Sequence, residues 1–233
     1  MHIHTSDDVT DSSTRPPNSL EEQDDPAGAR PMALQDIQAA YDERADWFHR
    51  FEWIERQLTG RYRRRLFEGI DGEVLDVACG TGTNFPYFAS TAALTGIDLS
   101  PEMLEKARGR LADLGLDGQV HQMDAQALAF DDDRFDTVVS ALSTCTFPEP
   151  LVALDEMQRV CAPDGRVLLL EHGRSDARPL AWYQDWRAES HYEKMGCRWN
   201  QEPLDLVESA GLELETATTA FFGIITMIAA RPG

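Results

Sequence analysis

The stretch Val74-Leu75-Asp76-Val77-Ala78-Cys79-Gly80-Thr81-Gly82-Thr83-Asn84 constrains this chain more than any other. A short apolar run that ends in small residues predicts a buried strand of a parallel sheet running into a tight loop. Gly80 and Gly82 let the backbone turn sharply and let a ligand approach without meeting a Cβ. The loop is expected to feed a helix N-terminus, whose free N–H groups favour an anionic group. A dinucleotide loop of the G-x-G-x-x-G type needs a third glycine for close helix–strand packing. Phe85 stands at that place, which argues against nicotinamide and flavin chemistry.

Beyond the loop, strand and helix patterns alternate. Strands are predicted over 73–78, 93–98, 119–123, 135–141 and 166–171, with helices over 101–114 and 151–161. Pro101 suits a first helical turn behind Ser100 as N-cap. A helix over 201–210, with Asn200 as N-cap and Gly211 as stop, precedes two strands over 212–219 and 221–230. With almost nothing between them, these two can only form a hairpin, so the last strand runs against the others. The expected fold is α/β, a Rossmann-like doubly wound sheet, mostly parallel with an antiparallel C-terminal hairpin strand.

Ahead of the sheet, 34–67 has a helical pattern rich in aromatics (Tyr41, Trp47, Phe48, Phe51, Trp53, Tyr62), for which core packing is the ordinary expectation. The expected organisation is an acidic, disordered tail over 1–33 and one domain over 34–233. That domain divides into a helical cover (34–70) and the Rossmann-like core (71–233). Residues 5–31 hold seven acids against Arg15 and Arg30 and hardly any large apolar side chain, too little to offset the entropy of ordering.

The formal net charge is −20, of which −15 falls outside that stretch. Such a surface repels phosphate backbones, so a nucleic-acid substrate is not expected. The single basic run, Arg61, Arg63, Arg64 and Arg65, spreads round a helix; a solvated surface is expected, with contact to an anionic head group or substrate as the alternative. Lys106 and Lys194 are the only lysines, a composition that resembles cytosolic proteins of salt-accumulating halophiles. The N-terminus lacks the basic and apolar regions of a signal peptide, and the longest apolar run is too short to span a bilayer. A cytoplasmic protein without stable membrane insertion is expected. Cys79, Cys145, Cys161 and Cys197 are scattered without ligand spacing, so no disulfide frame and no metal site are expected.

Three acids sit at the ends of successive strands, where ligands bind in open α/β sheets. Asp98 follows Asp76 by 22 residues, about where a carboxylate reaches ribose hydroxyls. Asp124 could accept from an adenine amino group. Asp76, at the mouth of the first strand, could face a cationic ligand group or fix the loop. Each could also be a simple turn residue or cap, but together behind a glycine loop they point to a nucleoside.

The run Asp76-Val77-Ala78-Cys79-Gly80-Thr81-Gly82 resembles the Asp-x-Ala/Gly-Cys-Gly-x-Gly signature of class I S-adenosylmethionine (SAM) dependent methyltransferases. Tyr41-Asp42-Glu43-Arg44-Ala45, Gly96 through Leu104 and Phe135 through Val139 are similar to other segments of that class. The resemblance implies S-adenosyl-L-methionine as cofactor, held by Ala78, Cys79, Gly80, Gly82, Asp76, Asp98, Asp124 and Ala125. It further implies that Leu99 and Met103 pack on the adenine, that Ser140 to Leu142 lie along the methionine arm, and that Asn84 and Tyr41 hold its carboxylate. Leu169-Leu170-Glu171-His172 and Gly196-Cys197-Arg198-Trp199-Asn200 look most like the group of bacterial phosphatidylethanolamine, quinone-ring and thiol methyltransferases. Pro203 and Phe48 depart from the threonine and tyrosine usual there.

Methyl transfer from a sulfonium depends mainly on positioning, although a quinol carbon or a thiol benefits from a base. His172, expected to end its strand facing the cleft, is the candidate base; a histidine hydrogen-bonded in a loop would look the same. Cys145 reads as a small wall residue near the same cleft. The segment 181–186, Ala-Trp-Tyr-Gln-Asp-Trp, reads as a lid, a transient membrane contact or core packing. The expected acceptor is small and hydrophobic or lipid-like. The alternative is a SAM-binding partner or sensor without catalysis.

Overall fold

The computed structural model describes residues 32–233; the expected acidic tail lies almost wholly outside them. Seven strands form one sheet: β1 (Glu73–Val77), β2 (Ala93–Asp98), β3 (Gly118–Gln122), β4 (Phe135–Ala141), β5 (Cys161–His172), β6 (Glu213–Ala220) and β7 (Ile225–Arg231). Their order is β3-β2-β1-β4-β5-β7-β6. β1 to β5 pair in parallel, whereas β7 runs antiparallel to both β5 and β6. This is the expected mostly parallel sheet with one reversed hairpin strand. The order reverses between β1 and β4, which opens a crevice at their carboxyl ends.

The central strands are apolar on both faces, and alternation divides them between two cores. Leu75, Val77, Val138, Val167 and Leu169 face α3 (Pro150–Val160) and α5 (Pro203–Ser209). Val74, Val139, Leu168 and Leu170 face the opposite side, where α1 (Leu34–Phe67) and α2 (Pro101–Leu114) supply Phe67, Leu104 and Leu111. A two-residue period buried on both sides leaves a continuous hydrophobic run, which is why these strands are plain in the sequence. α2 begins as expected: the Ser100 hydroxyl accepts from the Met103 N–H at 3.1 Å, and Gly115 ends the helix in the left-handed region.

Several expectations need correction. No α-helix follows the glycine loop; a single 3₁₀ turn, Phe85–Tyr87, carries Pro86 instead. The anion-binding helix terminus expected there is not built. Asn200 does not cap α5, because Pro203 occupies the first helical position, Glu202 stands at the cap, and the Asn200 amide donates to Asp185 at 3.2 Å. Residues 221–224 form the hairpin turn, with Phe221, Phe222 and Gly223 all at positive φ. α4 (Arg178–Met195) buries Ala181 and Gln184 but leaves Trp182 and Trp186 exposed and stacked on each other, so these two tryptophans are not core.

Candidate functional site

Where the strand order reverses, the carboxyl ends of β1, β2 and β4 and one face of α1 enclose a cavity of about 590 Å³. Its floor is the glycine loop. Ala78, at the mouth of β1, has φ 53° and Leu142, after β4, has φ 59°, and both line the cavity. Left-handed backbone costs a residue with a Cβ about 1 kcal/mol or more, and such strain concentrates where a ligand dictates the shape of the chain. Gly80 is also left-handed, at φ +55°, and a Cβ built on it would meet nothing within 4 Å. That open space is what a close ligand approach requires.

Asp98, half-buried at the end of β2, accepts from the Gly80 N–H at 2.9 Å and from the Ser100 N–H at 2.9 Å. Its carboxylate therefore ties the glycine loop to the start of α2. Burial pushes its pKa up to about 6, against the backbone N–H bonds that lower it. Asp124 accepts from the Gln126 N–H at 2.9 Å and lines the same cavity.

Asp76 is fully buried beneath this floor. One oxygen accepts from the Asn84 amide at 2.9 Å, and the other, Oδ2, has no hydrogen-bond partner. Burial raises Asp76 to about 7, opposed by the Asn84 bond and the Arg63 charge. An orphaned buried carboxylate oxygen, two carboxylates on the cavity wall and an open glycine suit a nucleoside ligand that carries positive charge.

Twelve of the fifteen residues implied as cofactor contacts line this cavity: Tyr41, Ala78, Cys79, Gly80, Asn84, Asp98, Leu99, Met103, Asp124, Ala125, Ala141 and Leu142. Asp76, Gly82 and Ser140 do not. Gly82 turns toward the buried Phe85 ring instead. Ser140 is fully buried and bonds Ser143 and Glu171.

Glu171, which sequence reasoning passed over, accepts from the Ser143 and Thr144 N–H groups at 3.1 and 3.4 Å. It thereby fixes the loop after β4 that forms one wall, and burial pushes its pKa up to about 7. A charged residue inside the apolar β5 run was the signal available.

α1 forms the opposite wall. Leu34, Tyr41, Phe48, Glu52, Glu55 and Arg63 recur at helical spacing along it, and Trp47 and Phe51 flank them. The aromatics expected in the core thus divide: Tyr62 is buried, whereas Trp47, Phe48 and Phe51 face the cavity. Arg63 overturns the reading of the arginine run as wholly solvated. It is 3% exposed and bonds Asn84, pairs with Glu55, and reaches the Thr59 hydroxyl at 3.3 Å. Arg61, Arg64 and Arg65 are exposed as expected. Glu52 pairs with Arg110 of α2, closing α1 over the cavity.

His172 does not line the cavity. It opens on a smaller one with Tyr183, His191, Cys197 and Trp199. Its Nε2 lies 3.2 Å from Cys145 Sγ and 3.4 Å from Cys197 Sγ. Two of the four scattered cysteines, Cys145 and Cys197, therefore meet in space, which corrects the expectation drawn from their spacing.

A family of methyltransferase domains matches residues 74–165. A phosphatidylethanolamine N-methyltransferase of Cereibacter sphaeroides is 43% identical over 124 residues, covering 51% of this chain and 61% of the relative. A ubiquinone/menaquinone biosynthesis C-methyltransferase, UbiE, of Bdellovibrio bacteriovorus is 38% identical over 127 residues, covering 53% and 54%. The matches to these curated relatives thus span little more than half of their length. In three dimensions the chain resembles geranyl diphosphate C-methyltransferase of Streptomyces coelicolor, with a TM-score of 0.67 at 14% identity over 88% of this chain and 100% of the other.

Proposed function

We propose that this chain is a class I SAM-dependent methyltransferase and that it transfers a methyl group to a small hydrophobic or lipid-like acceptor, with an amine nitrogen as the accepting atom. When bound, SAM supplies an electrophilic methyl on a sulfonium. Asp98 and Asp124 would accept from its ribose hydroxyls and adenine amino group, and Leu99 and Met103 would flank the base. Gly80 would admit the chain of the cofactor against the backbone. Asp76, through Asn84, would offer negative charge near the cationic end.

One observation carries the reading on the acceptor. The same cavity that holds these carboxylates continues into an apolar wall of Trp47, Phe48 and Phe51 on α1, with Phe147 and Pro148 near it. Excluding water there sharpens the electrostatics of a displacement whose charge disperses.

The lining also bears on the accepting atom. It includes no histidine among the described residues. Burial drives the Tyr41 hydroxyl well above its ordinary range, so it keeps its proton and acts as a donor. Glu52 and Glu55 are held by Arg110 and Arg63. With both glutamates paired and Asp98 and Asp124 given to the cofactor, an acceptor that sheds its proton to water is favoured over a quinol carbon or a thiol. Acidic walls also attract an ammonium group before it deprotonates. The N-methyltransferase among the relatives supports an amine; the quinone C-methyltransferase supplies the competitor to exclude.

Release of S-adenosylhomocysteine, measured with an ethanolamine lipid in micelles, a demethyl quinol and an alkyl thiol, tests this. Turnover is expected with the lipid and not with free ethanolamine. Turnover with the quinol or thiol alone would overturn the amine assignment. No release with any acceptor, from protein that binds the cofactor, would leave a binding protein without catalysis.

A further inference from the structure

A second set of reactive side chains lies beside the main cavity, and methyl transfer makes no use of it. Cys145 sits in the 3₁₀ turn Thr144–Thr146, His172 ends β5, and Cys197 follows the left-handed Gly196 that closes α4. The two sulfurs are 3.3 Å apart, and both face His172 Nε2 at 3.2 and 3.4 Å. His191, near the end of α4, hydrogen-bonds Cys197 and stacks on Trp199 with ring centroids 4.2 Å apart.

We propose that Cys145, Cys197 and His172 bind one thiophilic divalent ion of the zinc type, with water in the fourth position. Two thiolates and one imidazole are a donor set that zinc takes in tetrahedral sites with an open position. Bonds of about 2.3 Å to sulfur and about 2.0 Å to nitrogen place tetrahedral sulfurs about 3.8 Å apart and sulfur about 3.5 Å from nitrogen. The separations in this cluster are shorter by roughly half an ångström or less, a gap that small side-chain rotations close.

The His172 ring hydrogen-bonds the Trp199 backbone, the kind of outer partner that orients a ligating imidazole. Binding would send the thiol and imidazolium protons to solvent. A Cys145–Cys197 disulfide would need an outside oxidant.

The ion would have a structural task. The Arg198 N–H already donates to the Cys145 carbonyl at 2.9 Å. Metal bonds would add a firm tie between the end of α4 and the segment carrying Ser143, Thr146 and Phe147, which line the main cavity.

The full chain, purified without chelator, is expected to retain about one zinc by elemental analysis. After chelator stripping, cobalt(II) should restore a thiolate charge-transfer band and the strong visible bands of a tetrahedral site. Cys197→Ser and His172→Ala should lose both signals, and Cys161→Ser should keep them. Cys145 is buried and its variant risks unfolding, so the wild-type measurements decide. Trace zinc with no cobalt spectrum, or a Cys145–Cys197 disulfide found by mass spectrometry after thiol blocking, would overturn the proposal. None of these readouts depends on methyl transfer or on the acceptor.

Discussion

Alanine at Gly80 and alanine at Gly82 should have opposite effects, because the two glycines of one loop meet different surroundings. At Gly80 a Cβ finds nothing within 4 Å. The folded chain then loses only the backbone freedom of glycine, about 1 kcal/mol. At Gly82, where φ is +78°, a Cβ would lie 2.5 Å from the ring of Phe85, which is fully buried. Overpacking adds about 1–3 kcal/mol to the same backbone cost, for about 2–4 kcal/mol in all.

For binding the order reverses. Gly80 lines the cavity and Gly82 does not. A methyl group in space the cofactor needs, at about 1–3 kcal/mol, weakens its dissociation constant about 5- to 150-fold. Urea denaturation measures the first quantity and calorimetry with S-adenosylhomocysteine the second. Gly80→Ala should unfold near the wild type and bind poorly; Gly82→Ala should lose stability with the smaller loss of affinity. Equal destabilisation by both, or unchanged affinity in Gly80→Ala, would refute the argument.

Arg63→Ala should cost about 3–5 kcal/mol in urea denaturation, because it strands Glu55 and the Asp76–Asn84 pair without a buried cation. The exposed neighbour Arg64→Ala should stay within about 0.5 kcal/mol of wild type. Burial raises Asp98 to about 6 and Asp76 and Glu171 to about 7, so the folded state prefers their protonated forms. That stability is complete below the unfolded pKa near 4 and is gone once pH has risen through 6 and 7; urea midpoints should therefore fall between about pH 4 and pH 7. A cationic cofactor favours the ionised carboxylates, so its affinity should rise over the same interval with release of protons, read by calorimetry in buffers of different ionisation enthalpy. His172→Ala should leave S-adenosylhomocysteine affinity near wild type, since His172 stands outside the main cavity; a large loss would contradict that placement.

What the sequence determined by itself is what neighbours along the chain decide. A run buried on both faces, as in Val167 to Leu170, announces a central strand because every residue must be apolar. Ser100 before Pro101 announces a helix start because the cap is made within one turn. The short link before β7 forces a reversed strand. Gly80, Asp98 and Asp124 were legible for the same reason: each ends a readable strand, and strand ends gather at one edge.

Only the tertiary structure decided the rest. Arg63 has the same helical neighbours as Arg64, and what buries it is Asn84 arriving from another element. The helix expected after the glycine loop is a 3₁₀ turn, which the motif alone concealed. Cys145, His172 and Cys197 meet because the end of α4 returns to the sheet edge between β4 and β5. Side chains separated by so much chain are joined by packing across the sheet, and no local pattern of residues encodes that.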